Sequence, residues 1–383
     1  MKIAFFSPIP FSKKLGATKN RLELAEALRE LGWSTDLIDS KMLGLTDNAS
    51  QIKNEYRIRL KEYLIEGASR YDVILYEYDT LPFERSLFSE STLLVARPAL
   101  VDFHHLKIKI PYDLKTHLSN IVRKTLQLTD RRKYMLRQKE KFAREESLRN
   151  CDLIQVQNSI DSELMASKYP QKQILLIPNG IAKDRFTKFQ SIQRNYQNLH
   201  DKPVIAFVGT FDYRKGAMDF LYIIAKIQNR FRGVTFKFIG ARGLFRSTQS
   251  ILNFFPYKLR KHIEIVLEFE PDDLPLLLAD CHIGVFPSYF ESFGFGALEM
   301  MCSGLPVVGY KSPGPNDFLL RSLQVDVGDK SELVKKILDL LDNPNFLSEK
   351  SAEARKATEK YQWHLIAKEA DSAYKKILYA KRN

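Results

Sequence analysis

Apolar and polar positions follow one repeated pattern along this chain: a short apolar run, a turn, then a longer stretch with apolar residues three and four apart. Ile3 to Phe6 reads as a buried strand. A helix is expected from about Asn20 to Leu31, with Leu22, Leu24, Ala25 and Leu28 as its apolar stripe and Gly32 as its C-terminal stop. Trp33 to Ile38, Val73 to Tyr76, Ala99 to Phe103, Leu153 to Val156 and Leu175 to Ile177 read as further strands, the last closed by the turn Pro178-Asn179-Gly180. Two helices are expected between residues 107 and 149. The pattern then restarts. Strands are expected at Val204–Val208, Val234–Ile239, Ile263–Leu267, Ile283–Phe286 and Pro306–Gly309, and helices at Met218–Gln228, Ser331–Leu341, Leu347–Tyr361 and Trp363–Lys381. Strands alternating with helices imply α/β architecture with parallel sheets, here two doubly wound domains. The polar stretch from Thr187 to Pro203 places the expected boundary, giving domains 1–195 and 196–362, with a helix 363–383 packing back on the first.

One segment adds chemistry. Glu291 and Glu299 stand eight positions apart in Pro287-Ser288-Tyr289-Phe290-Glu291-Ser292-Phe293-Gly294-Phe295-Gly296-Ala297-Leu298-Glu299. The strand Ile283–Phe286 precedes it, and a helix follows from Ala297, stopped by Gly304 and Pro306. A strand, a glycine turn and a helix N-terminus present free amides and the positive dipole end to an anion such as a diphosphate. Carboxylates repel phosphate, so these two are expected to accept hydrogen bonds from neutral donors, sugar hydroxyls above all. Together the parts describe a nucleotide-sugar.

Composition narrows the class. At 383 residues, 44% hydrophobic and 11% aromatic, the chain can bury two sizeable cores. Cys151, Cys281 and Cys302 show neither metal nor redox spacing and read as buried small residues in a reducing compartment. The run Met1 to Phe6 is too short for a signal peptide, and no window approaches the roughly 20 apolar residues of a membrane span. A cytoplasmic location is expected. Of the net charge of +13, much falls between Lys107 and Arg149, where thirteen Lys or Arg face five Asp or Glu. That points to an anionic surface or substrate.

With these residues in view, the chain resembles a retaining glycosyltransferase of the large family-4 (group 1) class with the GT-B fold: two Rossmann-like domains facing across a cleft, the last helix crossing back to the first. The resemblance rests on Pro-Ser-x-x-Glu-Ser-Phe-Gly from Pro287, Leu298-Glu299, Cys302-Ser303-Gly304-Leu305-Pro306-Val307-Val308, Ile177-Pro178-Asn179-Gly180, Val208-Gly209 with Lys215-Gly216, and Tyr361-Gln362-Trp363. It implies that a nucleoside-diphosphate-sugar donor is held by Gly16, Gly209, Thr210, Arg214, Lys215, Glu291, Ser292, Phe293, Gly294, Phe295 and Glu299. In that scheme Glu299 takes the ribose hydroxyls, Glu291 the sugar hydroxyls, amides near Phe293–Phe295 the diphosphate, and Lys215 the leaving charge. The implied reaction transfers a hexose to a hydroxyl acceptor by front-side attack, with no metal and no cofactor. The chain departs from the family at Thr210, where many relatives have Arg, at Pro313 to Asp317, where a glycine pair and an acid are common, and at the single Gly16.

His104 and His105 follow the expected strand Ala99–Phe103, and the resemblance suggests that one of them meets the donor sugar or the acceptor hydroxyl. Alternation allows only one of the pair to face the cleft. Glu77-Tyr78-Asp79 reads first as an ordinary polar loop, with acceptor contact the lesser alternative and a metal clamp the least. In the basic segment, Leu114, Leu118, Ile121, Val122 and Thr125 share one helix face, and Lys133, Arg137, Lys141 and Arg144 share another. This is a solvated face or a contact with anionic membrane that reaches a lipid-linked acceptor; no RNA-binding signature is visible. A nucleotide-sugar epimerase and a non-catalytic membrane- or nucleic-acid-binding scaffold are the rival readings.

Overall fold

A computed structural model describes residues 1–13, 16–45, 52–77, 81, 83–101, 108–129, 131–196 and 199–382. The chain divides into two compact units, one of residues 1–101, 114–180 and 363–383, the other of 102–113 and 181–362.

The first unit carries strands β1 (Lys2–Ser7), β2 (Ser34–Asp39), β3 (Val73–Tyr76), β4 (Leu93–Ala96), β5 (Leu153–Val156) and β6 (Gln173–Leu176) in one parallel sheet of order β2-β1-β3-β4-β5-β6. Its core joins Ile3, Phe5, Leu75 and Val95 of the strands to Leu24 and Leu28 of the helix Gly16–Glu30. Trp363, Ile366, Ala370 and Tyr374 of the final helix, Trp363–Arg382, complete that core. The Trp363 indole donates to Glu23 and the Trp33 indole to Asp371, each at 2.6 Å, so both buried N–H groups are satisfied.

One expected strand is displaced. Ala99–Phe103 is not a strand among its described residues; the ladder is made by Leu93–Ala96. Pro98 has no amide to give the ladder, and the Ala99 amide goes instead to the Glu77 carboxylate at 2.7 Å. His104 and His105, placed at a sheet edge by that strand, lie outside the described residues, as do Tyr78 and Asp79. A helix Ile52–Gly67, which its weak periodicity did not announce, buries Tyr56, Leu60 and Leu64.

The second unit carries β7 (Val204–Val208), β8 (Thr235–Ile239), β9 (Ile263–Val266), β10 (Ile283–Phe286), β11 (Val307–Tyr310) and β12 (Gln324–Val325), all parallel, in the order β12-β11-β10-β7-β8-β9. The direction of winding reverses between β7 and β10. In open parallel sheets that switch point, at the carboxyl ends of the strands, is where ligands bind.

Candidate active site

Two loops leave the carboxyl ends of the switch-point strands. The first, after β7, runs from Gly209 through a tight turn Tyr213–Lys215 into the helix Ala217–Arg230. Asp212 shapes it: one carboxylate oxygen accepts the Lys215 amide at 3.0 Å, the other the Thr210 hydroxyl at 2.8 Å. Thr210 therefore braces the turn through Asp212. The second loop, after β10, leads from Pro287 into the helix Phe295–Cys302. Gly294 enters this helix at φ 93°, a left-handed conformation that disfavours any side chain. A Cβ on Gly296 would sit 2.0 Å from the Val208 carbonyl oxygen, so only glycine lets this helix start against β7. The pattern Phe-Gly-Phe-Gly is thus a packing requirement that also brings the helix N-terminus to the switch point.

The loops meet at Glu291. Its Oε1 lies 2.5 Å from the Lys215 ammonium, 3.0 Å from the Arg214 guanidinium and 2.5 Å from the Ser288 hydroxyl. Arg214 also donates to the Phe290 carbonyl at 2.8 Å. Burial alone would raise the Glu291 carboxyl, but Arg214, Lys215 and the hydrogen bonds from Lys215 and Ser288 hold it at about 2. Burial, together with Arg214, pushes the Lys215 ammonium below its ordinary range despite Glu291, while Glu291 raises Arg214. Besides Glu291, the Asp212 carboxylate that caps the turn also raises both cations, so the cluster holds two cations and two carboxylates. Arg214 keeps 28% of its side chain exposed and Lys215 13%, so both cations reach the surface of the unit.

Of the residues expected from the sequence, Gly209, Thr210, Arg214, Lys215, Glu291, Ser292, Phe293, Gly294, Phe295 and Glu299 all stand on these two loops and the glutamate helix. Gly16 opens a helix of the first unit. The expected neutral partners are only part of what is found: Glu291 has one hydroxyl partner and two cations, and Glu299 is buried with Arg185 at 3.5 Å. The Phe293 side chain is buried against Phe295, Phe318 and Tyr361. Arg185, Asp212 and Ser288 were missed. Arg185 lies over a hundred positions from Glu299 and carries no motif; Asp212, three before Lys215, could have been found as a cap for that turn.

Two six-stranded parallel sheets with flanking helices place the protein in the GT-B fold class, shared by its structural neighbours. A sucrose-phosphate synthase of Thermosynechococcus elongatus superposes with a TM-score of 0.72 at 18% identity, covering 99% of both chains. HepE of Anabaena, solved with UDP and glucose, gives 0.64 at 14% identity over 97% of this chain and 99% of its own. Residues 188–361, inside the second unit, match the family model of glycosyl transferases group 1. An uncharacterized glycosyltransferase of Methanocaldococcus jannaschii is 28% identical over 239 residues, 59% of this chain and 60% of the relative. The chain aligns to about three fifths of the curated relatives it matches first.

Proposed function

We propose that the chain is a retaining, metal-independent glycosyltransferase that moves a sugar from a nucleoside diphosphate to a hydroxyl acceptor. The observation that carries this reading is the pair of partly exposed cations, Lys215 and Arg214, gathered on Glu291 at the switch point beside a helix N-terminus. The group 1 match over the second unit supports glycosyl transfer, and the Anabaena neighbour bound to UDP and glucose supports a nucleotide-sugar donor. Lys215 and Arg214 hold the diphosphate with the amides at Gly294 and Phe295, Glu291 receives sugar hydroxyls, and Glu299, steadied by Arg185, receives the ribose. Thr210 leaves no arginine after Gly209, and Arg214 fills that electrostatic role. In the reaction the anomeric carbon–phosphate oxygen bond breaks and the acceptor oxygen bonds to that carbon on the same face. The acceptor proton passes to the departing diphosphate, whose growing charge Lys215 stabilises. His104 or His105 is the proposed contact to the sugar or acceptor. The test is transfer or slow hydrolysis of UDP-glucose, GDP-mannose or ADP-glucose by wild type and by Lys215→Ala, with and without EDTA. Activity lost in the variant and retained in EDTA supports the reading; full activity in the variant contradicts it.

A second observation bears on the acceptor. Leu114, Leu118, Ile121 and Val122 on the helix Leu114–Thr129 are each about half exposed or more, and Met135, Phe142, Lys139 and Lys141 are exposed on the helix Arg131–Asn150. Among the described residues no helix is long and apolar enough to cross a membrane. An apolar stripe beside a basic face fits the surface of an anionic bilayer, where each Lys or Arg contributes about 1 kcal/mol. We propose this face as the route to a lipid-linked acceptor. Wild type should float with vesicles containing phosphatidylglycerol and stay down with pure phosphatidylcholine, and Leu118→Glu with Val122→Glu should abolish flotation. Flotation unchanged in that double variant would remove the membrane from the account.

A further inference from the structure

The proposed chemistry leaves Asp219 without a task, yet this carboxylate is wholly buried in the first turn of the helix Ala217–Arg230. One of its oxygens accepts the Tyr289 hydroxyl at 2.9 Å and the Tyr310 hydroxyl at 2.8 Å. The other has no hydrogen-bond partner, with the Lys330 ammonium 4.0 Å away. Burial raises its pKa. An apolar side chain would fill such a place at less cost, so the carboxylate calls for a reason beyond packing.

Connectivity supplies one. Tyr289 lies two residues before Glu291 and is tied to the lysine segment twice: its amide donates to the Arg214 carbonyl at 2.9 Å, and its hydroxyl to Asp219. The two anchor points flank Lys215. Between them the Pro287 carbonyl occupies the space a Gly216 Cβ would need, 2.4 Å from that position. Arg214 also holds this loop at the Phe290 carbonyl, 2.8 Å away; the hydroxyl tether to Asp219 adds a fixed point on the far side of Lys215. Tyr310 belongs to β11 rather than to the glutamate loop; its ring packs edge-on against Tyr289 at 5.6 Å, a contact that Tyr310→Phe retains, so that variant removes only the shared hydroxyl.

We infer that Asp219 is a positioning residue: through Tyr289 it fixes Glu291 against Lys215 and so sets the donor sugar's orientation. This rests on the proposed transferase reading. The chemistry of the tether supplies its own control, because Tyr289→Phe and Tyr310→Phe each remove one hydroxyl from the same carboxylate. Both variants should lower the melting temperature by similar amounts. With UDP-glucose, GDP-mannose and ADP-glucose, Tyr289→Phe should reduce kcat for transfer or hydrolysis at least tenfold with KM changed less than threefold. Tyr310→Phe should keep kcat within threefold of wild type. Asp219→Asn, which retains shape and removes the charge, should follow Tyr289→Phe. Equal kcat for the two tyrosine variants would overturn the inference and leave the transferase reading intact. A wild type that turns over none of the three sugars and binds none of UDP, GDP or ADP would overturn both.

Discussion

At the carboxyl edge of each sheet two cationic side chains gather near one glutamate, and the clusters differ in how far those cations are enclosed. In the first unit Arg21 pairs with Glu77, and Arg97 is wholly buried between the amide oxygens of Asn20 and Asn179, at 3.1 and 2.7 Å. Burial lowers Arg97 to about 10. Every partner there belongs to the chain, and Glu77 spends its other oxygen on the Ala99 amide. In the second unit Lys215 and Arg214 share Glu291 and still keep part of each side chain exposed. Two cations and a glutamate are therefore enclosed in one place and partly open in the other, where the proposed anion seat lies.

That comparison can be broken by removing one cation from each cluster. Lys215→Ala should reduce turnover by about three powers of ten, ~4 kcal/mol of transition-state stabilisation, and should also lower the melting temperature, because the buried Glu291 loses its nearest cation. Arg97→Met should act on stability alone: it strands two buried amide oxygens and costs about 3 kcal/mol of stability, read as a lower melting temperature, while nucleotide affinity stays within twofold of wild type. Arg214→Ala, which removes the more exposed cation, should weaken nucleotide binding about tenfold, ~1.4 kcal/mol, measured by calorimetry.

Glu291 sharpens the contrast through pH. Its carboxyl sits at about 2 in the folded protein against an ordinary value of 4.5. A group whose folded pKa is depressed stabilises the fold above its unfolded pKa and loses that contribution as pH falls through the folded one. Denaturant unfolding should show the Glu291 contribution intact above about pH 5 and fading between about 4.5 and 2, and Glu291→Gln should flatten that stretch of the curve. A curve with the same slope in wild type and variant would detach Glu291 from its two cations.

Much of the second unit was legible in advance because its strands are short apolar runs bounded by glycines; β7 and β10 fall at the expected residues. The glycines before Glu299 announced a helix start, and they are required by packing against β7 as well as by turn geometry. What stayed hidden were partners that sequence distance conceals. Arg214 bonds Phe290, the neighbour of Glu291, across 76 positions, and Asp219 meets Tyr310 across 91. An aspartate in a first helical turn looks like an ordinary complement to the dipole, so nothing marked Asp219 as buried. In the first unit Ala99–Phe103 misled because apolar content outweighed Pro98, whose missing amide ends the ladder at Ala96.

The central claim is that the second unit's partly exposed cations, Lys215 and Arg214, bind the diphosphate of a nucleotide-sugar. Calorimetric titration of wild type and Lys215→Ala with UDP, GDP and ADP, each beside its nucleoside, tests it most directly. At least one diphosphate should bind wild type tenfold or more tighter than its nucleoside, and that margin should collapse in the variant. An undiminished margin in Lys215→Ala, or no margin in wild type, would contradict the account.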